Sequence, residues 1–238
     1  MSVKKIVEFP FTLLFSPQTA EHFTYFLYEI YVSCIHRVGC LKARKYKAQK
    51  ELKINFGSGS VLKEDYLNID FSAEADLRLD LRRPLPLSTN SCEQIFTEHF
   101  IEHLKYPEEA EQFITECHRI LQPGGVIVLS VPDTEWPLQD YGLNKRDYLR
   151  AAEQEQWHPE SCNTFIEHIN YHFRQRWSNS DESNFARHRF AYDFETMEKL
   201  LTSSGFDTVS RRNYWSELDS EHRRVGSLFV KAEKPIKS

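Results

Sequence analysis

The sequence predicts an α/β domain with a mainly parallel sheet, helices on both faces, and a C-terminal antiparallel strand. Three observations carry this. Short β-rich runs alternate with helical stretches across residues 51–133, and strands separated by crossovers pair in parallel. The first run, Leu52-Lys-Ile-Asn-Phe56, passes directly into the glycine turn Gly57-Ser58-Gly59-Ser60, where a backbone lacking Cβ atoms bends sharply and lets a ligand approach. Towards the C-terminus a helical stretch stops at Gly205, and two β-like runs at 206–210 and 227–232 follow as a closing hairpin.

Residues 1–50 are expected to form an N-terminal helical extension. A short apolar segment precedes an aromatic-rich helical pattern from Thr19, which ends in the basic tract Lys42-Ala-Arg44-Lys45-Tyr-Lys47-Ala-Gln-Lys50. The pattern predicts a helix packed on the domain with a solvated basic end; contact with an anionic substrate or a membrane surface is the alternative. Glu29, His36 and Arg37 interrupt the stretch Phe23–Leu41, so it is not expected to span a membrane. The start of the chain shows no sustained apolar run and no small-residue cleavage site, so export is not expected.

The domain proper is expected over residues 51–238. Its strands are expected at Leu52–Phe56, Tyr66–Asp70, Ala75–Asp80, Gln94–Thr97 and Gly125–Val131. Between the last two, Ala110, Phe113, Ile114, Cys117 and Leu121 recur at helical spacing before Gln122-Pro-Gly-Gly. Residues 134–190 read as a helical insertion that caps an acceptor pocket. It is rich in Trp136, Tyr141, Tyr148, Trp157, His158, His168, Tyr171, His172, Phe173 and Trp177. These form either the cap's own core or the wall of a pocket for a partly apolar or ring-shaped molecule. Asp193 is placed to cap the following helix.

Bulk properties narrow the function. With 40% hydrophobic and 27% charged residues in 238, the chain is an ordinary folded protein. A formal charge of -5 gives no general attraction to nucleic acid, which favours a small-molecule partner. The five cysteines are scattered without a C-x-x-C spacing, which suggests neither a disulfide framework nor a thiolate zinc site and fits a reducing cytoplasm. The composition leaves oligomeric state open.

In an open parallel sheet, ligands bind outside the carboxyl ends of the strands. Those ends carry Asn55 to Ser60, Asp70, Asp80-Leu81 and Thr97-Glu98-His99. Asp70 follows the glycine turn at the distance where a carboxylate can accept hydrogen bonds from ribose hydroxyls. The segment His99-Phe-Ile-Glu102-His103 also reads as H-x-x-E-H, the inverted zinc-protease pattern, or as a loop turning over a bound cofactor.

The order of a glycine turn, a strand-ending "NID", "DLRRPLP", "TEHFIEHL" and "LQPGG" resembles the class I S-adenosylmethionine-dependent methyltransferases, closest to small bacterial type-11-like enzymes. The resemblance covers residues 51–133 in detail and 185–233 in outline. It implies a Rossmann-like sheet and S-adenosylmethionine as cofactor. It implies further that Gly57 and Gly59, with Asn55 and Ser58 in the same segment, face the methionine part, that Asp70 holds the ribose, and that Asp80 and Leu81 contact the adenine. Glu98 and His99 would line the cofactor and acceptor side, with His188 and Tyr192 at the mouth. Asn55 departs from the family pattern, in which an acidic residue is frequent there. The expected reaction is methyl transfer to a small-molecule or glycan-type acceptor, with O-methylation favoured, S-adenosylhomocysteine as product and no metal. Catalytic candidates are His99, His103 and His188, a histidine of ordinary pKa being suited to take a hydroxyl proton. The alternatives are a cofactor-binding scaffold without turnover and, more remotely, a zinc hydrolase using His99 to His103.

Overall fold

The computed structural model describes residues 16–174 and 187–236. Seven strands form one sheet in the order β3-β2-β1-β4-β5-β7-β6. They are β1 (Leu52–Phe56), β2 (Leu67–Asp70), β3 (Leu77–Arg78), β4 (Cys92–Glu98), β5 (Leu121–Pro132), β6 (Asp207–Arg211) and β7 (Ser227–Glu233). The first five are parallel, and β7 runs antiparallel between β5 and β6. Helices α1 (Pro17–Lys42), α2 (Glu108–Ile120), α3 (Glu135–Gly142), α4 (Asp147–Gln154), α5 (Phe165–Arg174) and α6 (Phe194–Ser203) surround it. This is the predicted fold class. The short apolar start of the chain and Trp177 lie outside the described residues.

The central strands are buried on both faces, as parallel strands are. Ile54, Asn55 and Phe56 on β1, Ile95, Phe96 and Thr97 on β4, and Ile127 to Val131 on β5 are all buried. Helix α2 turns Ala110, Phe113, Ile114, Cys117 and Ile120 onto them and carries Glu108, Glu109 and Glu111 in its first turn, with His118 and Arg119 in its last, which suits the helix dipole. Its end and the next strand differ from expectation: β5 begins at Leu121, because Leu121 already pairs with Cys92 before the register shifts. Asp193 caps α6 by accepting from the Thr196 amide at 2.8 Å, and Gly205 ends it with φ +96°.

Helix α1 lies against the β3 edge and buries Val32, Ile35, His36 and Gly39, positions three or four residues apart on one helical face. The Arg82 guanidinium then joins α1 to the strand-end segment, donating to both Glu29 oxygens at 2.8 Å and to Asp80 at 2.8 and 2.9 Å. No helix among the described residues is long and apolar enough to cross a membrane. The five cysteines are free thiols.

The insertion carries a small second core. Tyr148, Phe165 and Ile169 pack together with Trp136, Leu149, Trp157 and Phe173 around them. Trp136, Tyr148, Phe165 and Phe173 thus stabilise the cap itself.

Candidate active site

The glycine turn is held by the end of β2. Gly57 has φ +66° and Gly59 φ +50°, a backbone region costly for residues with a Cβ. The Gly59 amide donates to Asp70 Oδ2 at 3.1 Å, and Asp70 Oδ1 accepts from the Ser72 amide at 2.8 Å. A carboxylate offers about four acceptor positions, so Asp70 retains capacity for ribose hydroxyls. A Cβ on Gly59 would meet nothing within 4 Å among the described residues, which leaves the loop open on that side, and the Ser58 hydroxyl is buried with no hydrogen-bond partner among them. Tyr28 of α1 meets Phe71 edge-on, with ring centroids 6.3 Å apart, beside Asp70. An open glycine face next to a carboxylate with spare acceptors fits the nucleoside and amino-acid parts of S-adenosylmethionine.

Two other residues expected at this site face inward. Asn55 donates to Val61 O at 3.0 Å and to Asn68 Oδ1 at 2.9 Å, so its amide braces the glycine loop from behind. The Asp80 carboxylate accepts from the Arg82 amide and guanidinium and from Arg83 Nε and is only 3% exposed. Its neighbour Leu81 is 5% exposed and belongs to the main core. Burial would raise the Asp80 carboxyl, but the hydrogen bonds and charge of Arg82, with Arg83, outweigh it and hold the group below the usual carboxylate range.

At the end of β4 the chain turns sharply. His99 has φ +49°, and its amide donates to Ser130 O at 2.9 Å. The turn aims the imidazole across the strand ends, where Nε2 lies 2.8 Å from Ser227 Oγ. Glu98 points to the β6–β7 connection and accepts from the Ser220 amide at 3.0 Å and hydroxyl at 2.5 Å. That connection is shaped by Arg212 and Asp219, paired twice at 2.6 Å.

The H-x-x-E-H segment is not an α-helix. It is a strand end followed by the single 3-10 turn Ile101–His103, anchored by the buried Ile101 and Leu104, so the zinc-protease geometry of two histidines on one helical face is absent here. Glu102, named from sequence only within the zinc-protease pattern and not among the methyltransferase site residues, occupies the centre of the arrangement. It is 1% exposed, with Oε1 3.5 Å from His99 Nδ1 and 3.9 Å from His188 Nε2. The strict spacing of "HFIEH" was the one available signal.

His188 arrives from residues 187–190, a segment clamped to the turn because the Arg189 and Phe190 amides donate to Glu102 O at 2.6 and 3.3 Å. His103 Nδ1 donates to Arg187 O at 3.1 Å and His188 Nδ1 to His172 O at 2.9 Å. Tyr192, expected at the mouth, is instead 1% exposed and packs in the main core beside Tyr106 and Phe190.

Burial sets the protonation of this cluster. It pushes His99 well below the ordinary imidazole value, lowers His103, and takes His188 down to about 3 and His172 to about 4. The imidazoles are therefore neutral at pH 7 and weak proton acceptors, contrary to the ordinary value expected from sequence. The same burial pushes Glu102 up to about 8.

A cavity of about 150 Å³ opens beside the cluster, between the ends of β4, β5 and β7 and the cap. His99, His188, His172, His158, Tyr171, Trp157 and Arg223 line it, with Gly226 and Ser227 at the base of the hairpin. His103 is not on its wall. Trp157 lies flush on Gly226, where a Cβ would stand 2.5 Å from the indole. Trp157, His158, Tyr171 and His172 are among the insertion residues offered as a pocket wall, whereas Arg223 escaped sequence reasoning because its place depends on how the hairpin closes. A second cleft lies on the far side of His188, lined by Tyr106, Phe173, Arg187 and Arg189 among others.

A family model described as a methyltransferase domain matches residues 10–211. No curated protein matches the chain. Among solved structures, a SAM-dependent methyltransferase from Methanosarcina mazei is 16% identical, with 82% of this chain and 97% of that one covered and a TM-score of 0.49. One from Archaeoglobus fulgidus is 16% identical, covers 88% and 99%, and has a TM-score of 0.44. Phosphoethanolamine N-methyltransferase 2 from Haemonchus contortus, in complex with S-adenosyl-L-methionine, is 12% identical, covers 82% and 52%, and has a TM-score of 0.44; the chain spans about half of its length.

Proposed function

The chain belongs to the methyltransferase-domain family and is an S-adenosylmethionine-dependent methyltransferase; from that premise we propose that it methylates a hydroxyl group of a small-molecule or glycan-type acceptor. The cofactor supplies an activated methyl group, so the protein's task is largely to position the acceptor in line with it.

One adjacency carries the reading. Phe100 packs on Gly57, where a Cβ would stand 2.5 Å from its ring, while the preceding residue, His99, lines the cavity under the cap. Consecutive residues thus join the glycine turn to the cavity. Asp70, Gly57 and Gly59 bind the cofactor in this reading, with Asn55 and Asp80 stiffening the loop and strand end around it. Trp157 and Tyr171 line the acceptor side, and His188, whose Nδ1 donates to His172 O, offers Nε2 as an acceptor for its hydroxyls.

The test is calorimetric titration with S-adenosylhomocysteine of the wild type and Asp70→Ala. Micromolar binding that weakens by roughly 1–3 kcal/mol in the variant supports the site; absence of binding to folded wild-type protein refutes it. Labelled-methyl transfer to a panel of sugars, phenols and amines, with the product bond identified by NMR, separates ether from amine products.

A second reading, cofactor binding without turnover, is favoured by Asn55, whose inward amide leaves the cofactor's ammonium without the usual carboxylate. It predicts homocysteine-form binding with no transfer to any member of the panel.

A further inference from the structure

We propose that Glu102, His103 and His188 form a binding site for a divalent transition-metal ion, with His99 as a further donor at its edge. The three side chains each bring one ligand atom into a group whose members all lie within 4.8 Å of one another. Ligands held at about 2.0–2.2 Å from a zinc-like ion stand about 3–4 Å apart, so the group needs only a small contraction to close on an ion.

The strongest indication is Glu102 itself. Its side chain is 1% exposed, and neither carboxylate oxygen has a hydrogen-bond partner among the described residues. Buried polar groups are almost always satisfied, and a fully buried acid without protein partners calls for a bound water or ion. Its nearest neighbours, His99 Nδ1 at 3.5 Å and His188 Nε2 at 3.9 Å, stand beyond hydrogen-bond reach but at the separation of ligands sharing an ion.

The histidines are arranged as ligands are. His103 and His188 both donate Nδ1–H to backbone carbonyls, Arg187 O and His172 O, which fixes the tautomer and puts the lone pair of each ring on Nε2. His99 reaches Ser227 Oγ through Nε2 and presents Nδ1 to Glu102. Such outer hydrogen bonds characterise metal-bound imidazoles. The backbone bonds from Arg189 and Phe190 to Glu102 O hold the two ligand-bearing segments together, so the site is preformed by the fold. Two or three imidazole nitrogens with one carboxylate suit zinc, cobalt, manganese or ferrous iron rather than magnesium or calcium. Arg223 faces the cluster and Arg189 adds its charge at His103, and an ion binds against both fields.

Because His99 and His188 also line the acceptor cavity, an ion held by this group would lie beside that cavity and could polarise an acceptor oxygen. That role rests on the methyl-transfer reading; the site does not.

The experiment uses the full chain, stripped with chelator and titrated with Zn²⁺ by calorimetry and with Co²⁺ by visible absorption, alongside Glu102→Gln, His188→Gln and the surface control His22→Ala. One ion per chain, with the absorption of nitrogen-coordinated cobalt, is expected. Affinity should fall roughly 100-fold or more in Glu102→Gln and His188→Gln and stay unchanged in His22→Ala. Absence of stoichiometric binding, or binding equally strong in the two ligand variants, overturns the site. S-adenosylhomocysteine titration of the same metal-free samples reports folding and keeps the two readings apart: cofactor binding without ion binding removes the metal site and leaves the methyltransferase.

Discussion

Gly39 of α1 and Arg78 of β3 are in backbone contact: a Cβ placed on Gly39 would stand 2.0 Å from the Arg78 carbonyl oxygen and 2.8 Å from Leu79 Cδ2. The helix approaches the sheet edge as closely as it does because this position has no side chain. Gly39→Ala should therefore lower the unfolding free energy by about 1–3 kcal/mol, despite alanine's better helix propensity. Urea unfolding of the variant checks this, and an unchanged midpoint would show that α1 is not seated as described.

The two glycines of the turn should separate in their effects. At Gly57 a Cβ meets Phe100 at 2.5 Å, whereas at Gly59 it meets no protein atom within 4 Å. Gly57→Ala is expected to cost both stability and cofactor affinity. Gly59→Ala should cost only about 1–2 kcal/mol of stability, from its left-handed backbone, while S-adenosylhomocysteine affinity drops at least tenfold because the new methyl fills the open side of the loop. Melting curves with and without the ligand distinguish the two patterns.

Acid should loosen α1. Arg82 hydrogen bonds hold Glu29 below its ordinary value, and Asp80 is also held low by Arg82 and Arg83 against the opposing effect of burial. Carboxylates lowered on folding bind more protons in the unfolded chain, so they contribute stability above the unfolded range of about 4–4.5, and this is lost as pH falls through the folded values. Arg82→Met should flatten the fall in stability between about pH 5 and pH 2, measured by urea titration across that range.

Lys234 ties the last strand to the end of α2. Its ammonium donates to Asn90 Oδ1 at 2.9 Å and to the carbonyls of His118 and Leu121 at 2.7 Å. Lys234→Met keeps the buried stem but leaves those acceptors unpaired, and a loss of about 2–3 kcal/mol is expected with cofactor binding unaffected. A variant of wild-type stability would show that water replaces the ammonium freely.

The central sheet was legible because its strands are apolar runs that stop at punctuating residues, and Asp193 and Gly205 mark the ends of α6 by their own chemistry. The third strand was read too long: only Leu77 and Arg78 pair with β2 before Leu79 turns its amide to Asp70 O and Asp80 turns its own to His36 Nδ1. That depends on α1, which sequence periodicity does not place. Strand-end position pointed to Asp70, Asp80 and His99, and the arginines that enclose Asp80 stand only two and three residues on. Glu102 entered only through the H-x-x-E-H pattern, since its isolation from water is imposed by residues 187–190, far along the chain. The lowered imidazoles follow from that enclosure as well.

The strand β4 is where the two halves of the site meet. Asp70 and the glycine turn belong to β1 and β2, while His172, Trp157 and Arg223 belong to the cap and the closing hairpin, and the hydrogen bonds of one set involve none of the other. Free-energy changes from substitutions in the two sets should therefore sum, except where β4 residues are changed as well. In the proposed reading the cap is an exchangeable module, and a different insertion grafted between β5 and α6 is expected to change which acceptor is methylated while S-adenosylhomocysteine affinity stays as it is.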